Sequence, residues 1–223
     1  MVDSRKRRAP FHAMSIRIMI YVIGFFVITF GIRTIIASDL GAGPWDTTTY
    51  NLHQLIPGTL GTAAFIVQAT VMGVVLAYRR NKRFLLMIVP IIGIALALDF
   101  WDLIVFTRLD LSSVAFLSRT LMYVTGALIV TFGLALIIQS GFPAGVYDEL
   151  MLVFMDAIGT RSIFFARVLV ESLAITLALM FGMIGGFGLG QVNLGSVVLV
   201  FTIAPLLSWH MRWTGALMYE TNV

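Results

Sequence analysis

The chain alternates between long apolar stretches and short polar connections. A bilayer core of about 30 Å requires about 20 apolar residues per helix. Six stretches meet that length, at roughly 16–37, 60–78, 84–106, 117–138, 162–184 and 192–211. Two shorter segments, residues 46–56 and 148–158, would rise only about 16 Å as helices. We expect these two to lie on the membrane surface or to enter the membrane and return.

The pattern repeats after 102 residues. One set of residues recurs without a gap at that offset: Tyr21, Val22, Gly24, Thr29, Phe30, Gly31, Ile35, Ile36, Ser38, Ala42 and Asp46 match Tyr123, Val124, Gly126, Thr131, Phe132, Gly133, Ile137, Ile138, Ser140, Ala144 and Asp148. Such self-similarity indicates an internal repeat. Because each copy holds three spans, the second copy starts from the opposite side of the membrane. The predicted fold class is therefore an all-α polytopic membrane protein: six transmembrane helices plus two short re-entrant or interfacial helices, as two inverted three-helix repeats.

Composition and charge agree with a membrane protein. Hydrophobic residues make up 59% of the chain and charged residues 12%, with a mean hydropathy of +0.97, which excludes a soluble domain. Basic residues gather at the ends of alternate spans, so both termini are predicted to be cytoplasmic in a bacterial inner membrane. The surrounding partner is then membrane lipid, and the basic balance does not argue for nucleic acid. The predicted segments are a cytoplasmic basic N-terminus (1–15), the first repeat (16–106), an extracytoplasmic connection (107–116), the second repeat (117–211) and a cytoplasmic C-terminus (212–223).

Several kinds of chemistry have no support in the sequence. There is no cysteine, and the three histidines are scattered, so neither a thiolate site nor a metal cluster is expected. No phosphate-binding glycine motif follows a strand. We therefore predict no cofactor and no metal, and we do not expect an enzyme, although a membrane-buried enzyme stays open.

A polar break follows the first apolar stretch of each repeat. The first is the run Gly41-Ala42-Gly43-Pro44-Trp45-Asp46, and the second lies at 141–148. Glycine and proline interrupt a helix, and broken backbone at membrane depth is tolerated only inside protein or beside a wet cavity. Each aspartate is interpreted as the N-cap of a short helix, where a helix N-terminus is also an ion site. The candidate site residues of the two breaks are Asp46, Asp148, Trp45, Tyr147, Gly43, Gly145 and Thr47.

Ionisable residues within the spans are further candidates for a functional site. Arg33, Asp99 and Asp102 lie toward the outer ends of their helices and are candidates for an outer cluster with Asp46. A second set lies toward the cytoplasmic side: Arg167 and Glu171, one helical turn apart, with Asp148 and Glu149. The alternative for Arg33 and Arg167 is that they extend to the membrane surface. Trp45, Trp101, Trp209 and Trp213 stand at span ends and are interpreted as interface anchors.

The break Gly41-Ala42-Gly43-Pro44-Trp45-Asp46, placed after an apolar helix that contains Gly31, resembles the YczE/YyaS/YitT group of bacterial integral membrane proteins. The resemblance covers most of residues 16–210 and rests mainly on this motif, and the second copy departs from it at Val146-Tyr147. It implies an inner-membrane protein with a solute or export role, without a substrate.

Three functions fit the sequence. The first is a small secondary transporter or channel-like carrier for a small organic ion, with or without coupling to protons, and with its site between the two short helices. The second is a substrate-binding membrane subunit of an ATP-driven transporter, and the third is a non-transporting assembly factor or lipid-acting enzyme. The first and fourth apolar helices carry small-residue stripes formed by Gly24, Gly31, Gly126 and Gly133. We expect these stripes to pack within one chain, and the alternative is packing between two chains in a homodimer.

Overall fold

The structure is a computed structural model that describes residues 11–108, 115–143 and 145–220. The basic N-terminus, most of the 107–116 connection, Ala144 and the last three residues lie outside it. Within the described residues there is no strand, and the helices are α1 Phe11–Ser38, α2 Pro44–His53, α3 Leu60–Arg79, α4 Ile88–Ile104, α5 Phe116–Gln139, α6 Val146–Ile158, α7 Ile163–Gly185 and α8 Leu194–Glu220. Short 3-10 turns, Lys82–Met87 and Phe106–Arg108, flank α4.

The six long helices confirm the six predicted spans. Each is long and apolar enough to cross a membrane, and they are Met14–Ser38, Leu60–Arg79, Lys82–Ile104, Phe116–Gln139, Ile163–Gly185 and Leu194–Trp213. The two short helices were predicted to begin at 46 and 148 but begin two residues earlier, at Pro44 and Val146. Proline favours the first helical position because its fixed φ suits a helix and its missing N–H is not needed there.

Helices α1 and α5 form the closest pair, and glycine makes their approach possible. A Cβ atom on Gly31 would lie 2.6 Å from the backbone nitrogen of Val130, and one on Gly133 would lie 2.5 Å from that of Ile28. Small residues let helix backbones approach this closely in membranes. The predicted packing of the glycine stripes within one chain is thus confirmed.

Polar contacts at the two ends of this helix pair recur at the 102-residue offset. Arg17 donates from Nε to the Ser140 carbonyl at 2.7 Å, and Arg119 donates from Nε to the Ser38 carbonyl, also at 2.7 Å. Both guanidinium groups therefore bind the last carbonyls of the facing helix, where the helix dipole is negative. Each end of the pair is tied by the same kind of contact.

Each of the two short helices packs on a long helix of the other sequence repeat. Helix α2 lies on α7, where Thr48 donates to the Ala174 carbonyl at 2.7 Å and Asn51 donates to the Ala178 carbonyl at 2.9 Å. Helix α6 lies on α3, in an apolar cluster that includes Leu150 of α6. Near its end, Asp156 forms an ion pair with Arg79, the last residue of α3. Each short helix thus ends beside the C-terminal part of a long helix.

The long helices at the edges are packed unequally. Helix α4 packs on both α1 and α3, whereas α8 packs on α5 and hardly touches α7 within the described residues. The bundle is therefore closed along α3 and α4 and looser between α7 and α8.

Candidate functional site

A cavity of about 190 Å³ lies between all eight helices. Most of its lining is apolar, from Ile28, Ile32, Ile36, Leu60, Ala64, Ile94, Leu98, Val130, Leu134, Ile137, Val146 and Ile203. The polar and aromatic groups that line it are Trp45, Asp46, Thr49, Gln68, Tyr147, Asp148, Arg167 and Glu171. Apolar lining with a few converging polar groups is typical of a small-molecule site.

The N-termini of α2 and α6 both face this cavity. Their N-cap residues, Gly43 and Gly145, line it, and neither helix has a side-chain capping hydrogen bond. The prediction that Asp46 and Asp148 are N-caps is wrong, because each stands at the third position of its helix. Both carboxylates still lie in the first turn, where the helix dipole favours negative charge. The two positive helix ends and two of the carboxylates therefore meet at one place.

Trp45 and Tyr147, which are 102 residues apart, stack on each other beside the cavity. Their ring centroids are 4.3 Å apart and the planes differ by 15°. Trp45 is only 6% exposed, so its prediction as an interface anchor is wrong. The turn at Gly43 and Pro44 carries it into the protein, whereas Trp209 and Trp213 are more than half exposed.

The predicted cytoplasmic-side cluster forms around Arg167. Its guanidinium donates to Glu171 at 3.1 Å and to Asp148 at 3.3 Å. The second carboxylate oxygen of Glu171, Oε2, is buried and has no hydrogen-bond partner among the residues that the structure describes. Glu149, predicted as a further member, does not line the cavity. The cluster thus holds one cation, and two carboxylates share it.

Asp46 is different because its carboxyl group has no ion pair or hydrogen bond within the described residues. Burial raises the pKa of Asp46 to about 7, and the negative charge of nearby Glu171 adds to the increase. Burial also raises the pKa of the Tyr147 phenol, with the charges of Asp46 and Glu171 as further causes. Asp46 can therefore exchange a proton near neutral pH, whereas Tyr147 stays protonated.

The predicted outer cluster does not join this site. Arg33 pairs with Asp102 at 2.5 Å, and Asp99 accepts hydrogen bonds from Thr59 at 2.7 Å and from the Gly61 N–H at 2.6 Å. Asp99 therefore binds the start of α3, and none of Arg33, Asp99 and Asp102 lines the cavity.

Two polar residues of the cavity were missed in the sequence, and Thr47, predicted with the residues of the first break, faces elsewhere. Gln68 and Thr49 line the cavity, whereas Thr47 is fully buried and donates to the Gly43 carbonyl at 2.9 Å. Gln68 could have been identified from the sequence, since it is a polar residue inside an apolar span. Thr49 could not, because three successive threonines give no indication of which one faces inward.

The cavity is open at one end and closed at the other. The side chains of Asp148 and Arg167 are 54% and 49% exposed, whereas Gln68 is 7% and Ala64 is 3% exposed. The charged end contributed by α6 and α7 is thus reached from outside the molecule, and the end contributed by α3 is not.

The six apolar helices define a polytopic membrane protein with an internal polar cavity. Residues 15–212 match DUF6198, a family of unknown function, and the chain belongs to that family. It is similar to the uncharacterized protein YyaS of Bacillus subtilis (strain 168), with 29% identity over 86% of this chain and 94% of YyaS. It is also similar to the uncharacterized membrane protein YczE of the same strain, with 26% identity over 62% of this chain and 63% of YczE.

The resemblance to the YczE and YyaS group is thereby confirmed. No solved structure matches the chain.

Proposed function

We propose that the protein is a small secondary transporter that carries a small organic ion across the bacterial inner membrane. One observation carries this proposal: the N-termini of two short helices meet at a charged cavity inside a bundle of apolar helices. Paired broken helices with N-termini directed at a central site are a recurrent design of secondary transporters.

The proposed architecture is two inverted three-helix repeats with re-entrant α2 and α6 and both termini cytoplasmic. Two observations support it. The arginine contacts at the ends of α1 and α5 correspond to each other at the 102-residue offset, and the stacked rings of Trp45 and Tyr147 belong to residues that correspond at the same offset. In this arrangement the short helices enter from opposite faces. The repeats also explain how 223 residues can build a complete pathway.

The unequal packing of the two halves supports alternating access. Helix α3 packs on α4 whereas α7 hardly touches α8 within the described residues, and at the exposed end of the cavity the side chains of Arg167 and Asp148 are 49% and 54% exposed. An exchange of these two packing arrangements would close that end and open the other. Such rocking of one repeat against the other is how inverted repeats give access to both sides.

Reconstitution into liposomes that enclose a pH-sensitive dye tests the proposal. Benzyltrimethylammonium and phenylmethanesulfonate are suitable probes, because their permanent charges keep them from crossing lipid unaided. We expect one of them to move and to change the internal pH. Asp46→Asn and Asp148→Asn should each abolish this movement while the protein stays folded in detergent. Full transport by both variants, or no movement of either probe, would contradict the proposal.

A further inference from the structure

We infer that the cavity takes an organic cation, an ammonium group carried on an apolar body, and not an anion. This inference rests on the proposed function, because it names the class of solute for the same site. It decides between two opposed features, which are the positive helix ends and the carboxylates.

The first argument is the balance of charge around the cavity. Three carboxylates line it, from Asp46, Asp148 and Glu171, together with one guanidinium, from Arg167. Each helix N-terminus contributes about half a positive charge, so the two ends and the guanidinium together supply about two. With Asp46 protonated the empty cavity is close to neutral, and with Asp46 ionised the carboxylates exceed the positive charges by about one, which a bound cation would balance.

The second argument is which of these charges is already engaged. Arg167 donates to both Glu171 and Asp148, so its donors are directed at protein carboxylates. Two side-chain acceptors have no partner within the described residues: Glu171 Oε2, which is buried, and the carboxyl group of Asp46. An ammonium group would pair with these carboxylates once Asp46 is ionised, whereas an anion would add a further negative charge beside them.

Besides the two helix ends, Nε1 of Trp45 argues the other way, because it is a buried donor without a partner within the described residues. It is a neutral group, so it can bind an ether or carbonyl oxygen on a cationic solute as readily as an anion. It does not offset a carboxylate.

The third argument concerns the rest of the solute. Most of the remaining lining is formed by side chains such as Ile32, Leu98 and Val130, which offer nothing to a polar group. A solute that fills the cavity is therefore expected to be mostly apolar away from its charge.

Proton exchange follows from the same arrangement. Below about pH 7 the empty cavity holds a proton on Asp46, because burial and the negative charge of Glu171 raise the pKa of its carboxyl group. The other titratable groups around it are Tyr147, Asp148 and Arg167, of which only Arg167 is cationic. When an ammonium group binds, the Asp46 carboxyl releases this proton to solvent and the carboxylate pairs with the cation. One cation enters and one proton leaves, so the charge is balanced.

Calorimetry with three isosteric probes tests the inference on the full-length protein in detergent. The probes are benzyltrimethylammonium, its neutral carbon analogue neopentylbenzene and its anionic analogue phenylmethanesulfonate. We expect the ammonium ion to bind at least about tenfold more tightly than neopentylbenzene and the sulfonate not to bind. Near pH 7, titration in two buffers of different ionisation enthalpy should detect a proton released on binding of the ammonium ion.

Variants distinguish the effect of a lost charge on binding from a general loss of the folded structure. Asp46→Asn and Glu171→Gln should each weaken binding of the ammonium ion by about tenfold and leave neopentylbenzene binding unchanged. Asp156→Asn removes a carboxylate that is outside the cavity and should change neither. Tighter binding of the sulfonate, equal binding of the ammonium ion and neopentylbenzene, or no binding of any probe would overturn the inference. Binding of the cation without its movement in liposomes would instead contradict the transport function alone.

Discussion

Helices α2 and α6 occupy corresponding places in the two sequence repeats, yet they are attached to the bundle in different ways. Helix α2 is held on α7 by directional hydrogen bonds from Thr48 and Asn51 to backbone carbonyls. Helix α6 has Leu150 and Val153 at the positions 102 residues later, and both are buried in an apolar cluster on α3. One helix is fixed by polar contacts of defined geometry, and the other by apolar contacts that tolerate small shifts.

This difference corresponds to the difference between the two ends of the cavity. Asn51 also accepts a hydrogen bond from the Gln191 N–H at 3.2 Å, so α2 is tied to the chain before α8 as well. Helix α6 carries Asp148 at the open end, half exposed and paired with Arg167. We therefore regard α2 as the fixed wall of the cavity and α6 as the wall that is able to move.

The largest expected effect is a pH dependence of the melting temperature that distinguishes Asp46 from Asp148. A proton on Asp46 stabilises the folded state, because the pKa rises from the model-compound value of 3.8 to about 7 on folding. This contribution is complete below about pH 4 and is lost as the pH rises through about 7. We expect the apparent melting temperature in detergent to fall over this window. Asp46→Asn should flatten the fall and Asp148→Asn should not; an equal slope in Asp46→Asn would contradict the assignment.

The next effect concerns the attachment of α2. Asn51→Val copies the residue that α6 carries at the corresponding position, removes the hydrogen bond to the Ala178 carbonyl and leaves the buried Gln191 N–H without its partner. We expect the free energy of unfolding to fall by about 3 kcal/mol, measured by denaturant unfolding in mixed micelles. Thr70→Val, on the exposed face of α3, is the control and should change little. Equal stability of the two variants would mean that the polar contacts do not fix α2.

A smaller effect is expected for the apolar attachment of α6. Val153 is 5% exposed, and Val153→Ala should cost about 1 to 2 kcal/mol because it removes buried methyl groups. Leu152→Ala, on the same helix but 40% exposed, should cost less. The same unfolding measurement applies, and a loss greater than that of Asn51→Val would reverse the comparison between the two helices.

The smallest effect is expected at the end of α6. Asp156 pairs with Arg79, and its side chain is 53% exposed, so solvent screens the pair. A double-mutant cycle with Arg79→Gln and Asp156→Asn should give a coupling of less than about 1 kcal/mol, which decreases with added salt. A coupling that is larger and independent of salt would show that α6 is held by this charge pair.

Much of the fold could be predicted because the bilayer imposes it on the sequence. A helix of about 20 apolar residues is the cheapest way to cross the core, so the six spans were found within a few residues. The pairing of α1 with α5 was also predictable, since Gly31 and Gly133 recur at the repeat offset and small residues let two helices approach closely. These features depend on composition and spacing alone.

The site was predicted only in part because it depends on helix rotation and depth. Arg167 and Glu171 are four residues apart on one helix, so their contact follows from helix geometry. Whether Asp99 faces the cavity or the start of α3 is decided by the packing of two helices, which spacing does not fix. The burial of Trp45 likewise depends on how far the broken chain returns into the bundle.

The stack of Trp45 on Tyr147 also gives the protein a built-in optical reporter. Of the four tryptophans, Trp45 alone lines the cavity described, and an indole that changes its stacking partner or its hydration changes its emission. Replacement of Trp101, Trp209 and Trp213 by phenylalanine would leave a chain whose fluorescence comes from the cavity. Occupancy of the site, and the rate at which it fills and empties, could then be followed in real time without any added label.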